Sequence, residues 1–111
     1  MIKLIVLSLL LISQTMPTTD CNLPAPTSAS GTHNGTSLSL SWNAVSGAAS
    51  YRMRVIDMET SQVIYSEIEA GTSTTIPNTN ANHDYRAQIS ATCNSGGGES
   101  TNIIIVDMNG V

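Results

Sequence analysis

The chain has no phenylalanine, one tryptophan and three tyrosines. So few rings leave the interior to aliphatic side chains and methionine, and the rings present are needed inside. They give thin support to a sugar-binding face, which offers several exposed aromatics. Basic residues are also scarce. Lys3, Arg52, Arg54 and Arg86 stand against eight carboxylates. Beyond Lys3, three arginines and those eight acids give a formal charge of −5. An acidic domain of this kind excludes nucleic acid and anionic lipid surfaces as expected partners. No apolar run reaches the roughly 20 residues of a membrane-spanning helix, and no stretch carries a helical period. His33 and His83 stand at no metal-ligand spacing from the two cysteines, so neither a metal nor a cofactor is expected.

What is present begins with an export signal. Met1-Ile-Lys3 is a short basic start, residues 4–12 are apolar apart from Ser8, and small residues follow near Thr15. Residues 1–15 are assigned as a signal peptide, with cleavage between 15 and 20. Asp20 precedes Cys21, a poor match to a lipidation site, so no membrane insertion is expected once the signal is removed. Export places the protein outside the cytoplasm: secreted, periplasmic or at the cell surface. There two cysteines form a bridge in preference to free thiols. A Cys21–Cys93 disulfide closes a span of 72 residues and contributes roughly 4 kcal/mol in the chain-entropy account.

Residues 21–108 form one domain, and its organising stretch runs from Tyr85 to Cys93. Tyr85, Ala87, Ile89, Ala91 and Cys93 alternate with Arg86, Gln88, Ser90 and Thr92, the period of a half-buried strand. Leu38, Leu40 and Trp42 alternate with serines in the same way, and Tyr51, Met53 and Val55 with Arg52 and Arg54. Further strands are expected at 27–31, 63–70, 73–76 and 101–107, with turns at His33-Asn-Gly35, 57–62 and 94–98. Seven short strands without helix imply an all-β, antiparallel two-sheet sandwich.

The ordered residues resemble a family. Pro26 precedes the first strand. Leu40-Ser-Trp42, Ala49-Ser-Tyr51-Arg-Met-Arg-Val55, Thr74-Thr-Ile76-Pro77, Tyr85-Arg-Ala-Gln-Ile-Ser-Ala91 and Gly98-Glu-Ser100 follow in order. Together they resemble a fibronectin type III domain over the whole chain beyond the signal. The resemblance implies an immunoglobulin-like β-sandwich of seven strands. It also implies structural core roles for Trp42, Tyr51 and Tyr85, the last at a "tyrosine corner". Two features depart from the family pattern: Ile76 stands where leucine is common, and most members lack a disulfide. The Cys21–Cys93 pair is similar to some secreted bacterial versions.

Parity turns Arg52, Arg54 and Arg86 outward, and the resembled topology makes their strands neighbours. Glu67 and Glu69 are read as lying on the next strand with matching parity. That makes either a cross-strand charge ladder or an arginine patch for an anionic partner. Tyr65 is the one tyrosine expected to be partly exposed. The candidate binding face is therefore Arg52, Arg54, Arg86 and Tyr65, with an exposed edge strand as a second means of contact. No catalytic residues are assigned. His83 and Asp84 are adjacent and point apart on an extended chain, and no nucleophile, base and acid converge. Asn34-Gly-Thr36 is a glycosylation sequon. The expectation is a monomeric, non-enzymatic module for recognition, adhesion or spacing, whose partner is an extracellular protein or a glycan. The alternatives are an accessory module of secreted polysaccharide-degrading enzymes and a small enzyme or inhibitor with a loop-borne site.

Overall fold

The computed structural model describes residues 21–94 and 97–110. The expected signal peptide lies outside the described residues. The described chain is all β, with seven strands: β1 (Ser30–Asn34), β2 (Ser37–Ser41), β3 (Ser50–Asp57), β4 (Gln62–Glu69), β5 (Ser73–Ile76), β6 (Tyr85–Asn94) and β7 (Gly97–Met108). They form two antiparallel sheets, of order β1-β2-β5 and β4-β3-β6-β7.

The alternation read from the sequence decides which side chains meet between the sheets. Leu38 and Leu40 face Tyr51, Met53 and Val55, with Ala87, Ile89 and Ala91 beside them. Leu38, Met53, Val55 and Ile89 are fully buried, and each stabilises the sandwich by about 1.5–3 kcal/mol relative to exposure. Ile76, Val106 and Met108 complete the layer. Trp42 follows β2 directly and is buried, its ring packed edge-on against Tyr51 at 5.7 Å.

The first strand lies three residues later than the sequence pattern suggests. Residues 27 and 28 bend, and Ser28 takes a φ of 53°. This breaks the extended run before β1. The β1–β2 turn consists of Gly35 and Thr36 alone, with His33 and Asn34 still in the ladder. Gly35 occupies the first turn position at φ 61°, a conformation that costs a residue without Cβ little. Gly31 has a different role. A Cβ there would lie 2.6 Å from Met108 Sδ and 3.1 Å from Leu40 Cδ2, so the absent side chain lets β1 approach β7 across the layers.

The last strand starts at Gly97 rather than at 101, but its ladder with β6 is interrupted. Thr92 pairs with Glu99 and Ser90 with Ile103, so residues 100–102 form an excursion. The Ser100 hydroxyl and the Asn102 side-chain amide both donate to the Leu23 carbonyl, at 2.6 and 2.9 Å, and hold the N-terminal lead-in. Beside this clamp Cys21 and Cys93 are bridged, with 5.6 Å between Cα atoms. Cys93 is exposed, not part of the buried face as its parity suggests. The last β3–β6 pair is Ser50 with Thr92, so Cys93 lies past the end of β3, at the rim of the sheet.

Candidate functional site

The outer face of β4-β3-β6-β7 gathers every arginine of the chain. Register places Arg52 between Ile68 on β4 and Ser90 on β6, and Arg54 between Ser66 and Gln88. Arg86 lies one strand over, paired with Ile56 on β3 and Asp107 on β7. The expected charge cluster is therefore present, and β3 and β6 are neighbours.

Its acids differ from those the sequence suggested. Glu67 pairs with Met53 and Glu69 with Tyr51, which puts both on the inward parity of β4, away from the arginines. The carboxylates that meet the arginines come from β7. Arg54 donates to both oxygens of Glu99 at 2.8 and 3.1 Å. Arg52 Nε lies 3.9 Å from the same carboxylate. Arg86 donates to Asp107 Oδ1 at 2.8 Å. Glu99 spans the width of β6 to reach Arg54, and on the way accepts a hydrogen bond from Ser90. The Arg54 hydrogen bonds hold the Glu99 carboxyl below its usual range despite partial burial, and Glu99 raises the Arg54 guanidinium in return. The signal that could have found Glu99 was Gly98-Glu-Ser100 itself, but its reach depends on the excursion at 100–102.

Tyr65 does not share this face. It pairs with Val55 on the inward side of β4, packs against the margin of the core, and donates its hydroxyl to Glu69. Burial, and then the Glu69 carboxylate, raise the Tyr65 hydroxyl above its ordinary pKa. The four-residue binding face thus divides into three arginines outside and one tyrosine inside. The reason is register: a β-bulge between Val55 and Ile56 leaves Ile64 unpaired and sets the parity of β4 against β3.

Aliphatic side chains frame the arginines instead. Ile68 on β4 and Ile103 and Ile105 on β7 stand on the same outer face. Val63 and Ile64, at the bulge of β4, are exposed as well. The opposite outer face, on β1-β2-β5, is different. Ser30, Thr32, Ser39, Ser41, Ser73 and Thr75 line it, with no charge or ring to orient a ligand.

At one end of the sandwich, His83 Nδ1 lies 2.8 Å from Asp57 Oδ2. Sequence reading placed His83 beside Asp84 and missed this pair, because 26 residues separate its members. Asp84 instead accepts from the Gly110 amide. Burial pushes the Asp57 carboxyl up, but hydrogen bonds from His83 and from the Glu59 and Thr60 amides outweigh it and hold the group below its ordinary value. His33 bonds the Asn80 carbonyl. Among the described residues no serine, threonine or cysteine is hydrogen-bonded to either histidine, and no cluster of three metal-ligating side chains occurs.

The Tyr85 hydroxyl accepts from the Asn80 amide, five residues upstream, at 2.8 Å. That is the tyrosine-corner geometry at the entry to β6. Solved structures place the whole arrangement. The fn3 domain of human collagen alpha-1(XX) chain superposes with a TM-score of 0.66 at 18% identity, covering 85% of this chain and 90% of that one. The fold is that of a fibronectin type III domain. A Fn3-like protein from Clostridium thermocellum matches with a TM-score of 0.60 at 23% identity, over 84% of this chain and 96% of that one. The FN5 domain of Drosophila Lar matches at 0.55 and 16%, over 80% and 99%. No family model matches the sequence, and no curated protein matches it. Within the fibronectin type III fold, Trp42, Tyr51 and Tyr85 are buried. Tyr51 accepts the Val45 amide at 2.8 Å much as Tyr85 accepts that of Asn80.

Proposed function

We propose that this is an exported, non-catalytic recognition module. Its contact surface is the outer face of β4-β3-β6-β7. The observation that carries the reading is the join of two features on that face: all three arginines, and the exposed Ile68, Ile103 and Ile105 around them. Elsewhere the described residues carry carboxylates and no lysine or arginine, so a carboxylate-bearing partner finds charge complementarity on this face. Arg52 is the least tightly paired of the three, its nearest carboxylate standing 3.9 Å away. The partner that fits is an extracellular protein whose surface offers carboxylates and aliphatic groups. A glycan fits less well, because the only tyrosine outside the deep core, Tyr65, lies on the other side of β4. The fibronectin type III fold and the disulfide accord with an extracellular setting.

The test is capture of extracellular and cell-surface proteins by the exported chain, repeated with Arg52→Ala and Ile68→Ser and against a polysaccharide panel. The reading expects protein capture that either change abolishes. Retention by polysaccharide alone, or capture indifferent to both changes, overturns it.

A further inference from the structure

We propose that two copies of this chain associate by antiparallel pairing of their β7 edges over residues 103–105. The two-fold axis lies near Ile104. The proposal shares Ile103 and Ile105 with the recognition reading but can fail separately from it, since it uses the free backbone edge of the sheet and not the arginines. It departs from the monomer expected from sequence.

Strand order leaves β7 outermost in its sheet, so one row of its backbone groups faces away from β6. Such an edge templates another strand unless something blunts it. The usual blunting devices are lysine, proline, a bulge, or a charge projecting at the edge. Residues 103–107 read Ile-Ile-Ile-Val-Asp, with neither lysine nor proline. The ladder is regular over this run, because the excursion at 100–102 ends before it. Asp107 is its one charge, and Arg86 on β6 draws that carboxylate back over the protein's own sheet. The other free edge of the sheet is protected. β4 carries Glu67 and Glu69 and is kinked by its bulge.

The side chains are self-complementary. Ile103 and Ile105 are 43% and 48% exposed on one side of β7. Antiparallel pairing about Ile104 sets Ile103 of each copy opposite Ile105 of the other, so four exposed isoleucines cluster across the joint. Beyond these residues the same register sets Asp107 opposite Thr101 in the other copy's excursion, so no like charges meet. For a chain as acidic as this one, an edge free of carboxylate repulsion is where self-association costs least.

The experiment is sedimentation of the exported protein over a wide concentration range, with amide hydrogen exchange at the two extremes. A reversible dimer is expected, with exchange at 103–105 slowing as concentration rises. Ile103→Thr with Ile105→Thr keeps β-branched side chains on the strand, and should weaken dimerisation about tenfold or more. Ile64→Thr on β4 should leave it unchanged. A monomer at every concentration overturns the proposal. So does a dimer that survives the β7 changes, or one that slows exchange at 62–69 instead. A thermal melt of each variant confirms that a lost dimer is not a lost fold.

Discussion

Glu99 on β7 grips Arg54 on β3 through both terminal guanidinium nitrogens, at 2.8 and 3.1 Å, across an intervening strand. The same carboxylate satisfies the hydroxyl of buried Ser90. Replacing Glu99 by Ala removes a bidentate but part-exposed pair, worth no more than about 1 kcal/mol. It also leaves a buried hydroxyl without its acceptor, which adds a comparable amount. Urea denaturation should show a loss of about 1–2 kcal/mol, and Ser90→Ala in the same background should restore part of it.

Acid should weaken the fold through two carboxylates. Glu99 and Asp57 are both held below their ordinary range in the folded chain. A depressed folded-state pKa adds stability above the unfolded value, and that stability is lost as pH falls through the folded value. Melting temperature should therefore be level above the ordinary carboxylate range, near pH ~4, and fall below it. The double change Asp57→Asn with Glu99→Gln should flatten that fall while lowering the plateau.

Reduction of the Cys21–Cys93 bridge frees the lead-in from the rim of β6. The change Cys21→Ser with Cys93→Ser should cost up to about 4 kcal/mol in chemical denaturation. Mass spectrometry of the protein isolated without reductant should show a gain of two hydrogens on reduction. Part of the lead-in should stay docked, because Ser100 and Asn102 still hold the Leu23 carbonyl.

Tyr85→Phe leaves the ring in the core and removes the acceptor of the Asn80 amide. A loss of about 1–3 kcal/mol is expected for a donor left unsatisfied, with little change in circular dichroism. Tyr51→Phe should do the same through the Val45 amide.

Gly31→Val tests the approach of the two sheets. The new side chain meets Met108 and Leu40 at contact distances too short to keep. Overpacking of this kind costs about 1–3 kcal/mol. The paired change Met108→Ala should recover part of the loss in a thermal melt, which distinguishes a steric effect from a backbone one.

Sequence reading and structure part company where register intervenes. Period-two alternation found the inward residues of β2, β3 and β6 correctly apart from Cys93, because a residue's face on its own strand follows from its parity. It could not relate β4 to β3. One unpaired residue at Ile64 shifts the register between those strands, so Glu67, Glu69 and Tyr65 lie away from the arginines. Ser28 likewise shortens the start of β1, since a positive φ at serine has no strong sequence signal.

By itself the amino-acid sequence determined the seven strands to within a few residues at the ends of β1 and β7, the apolar layer between the sheets and the outward aim of Arg52, Arg54 and Arg86, because these follow from local periodicity. Tertiary structure alone decided that Glu99 and Asp107 meet those arginines, that Asp57 meets His83, and that 103–107 is left as an open edge. Each of these depends on strand order and register, which are set by bulges and by contacts between residues far apart in the chain.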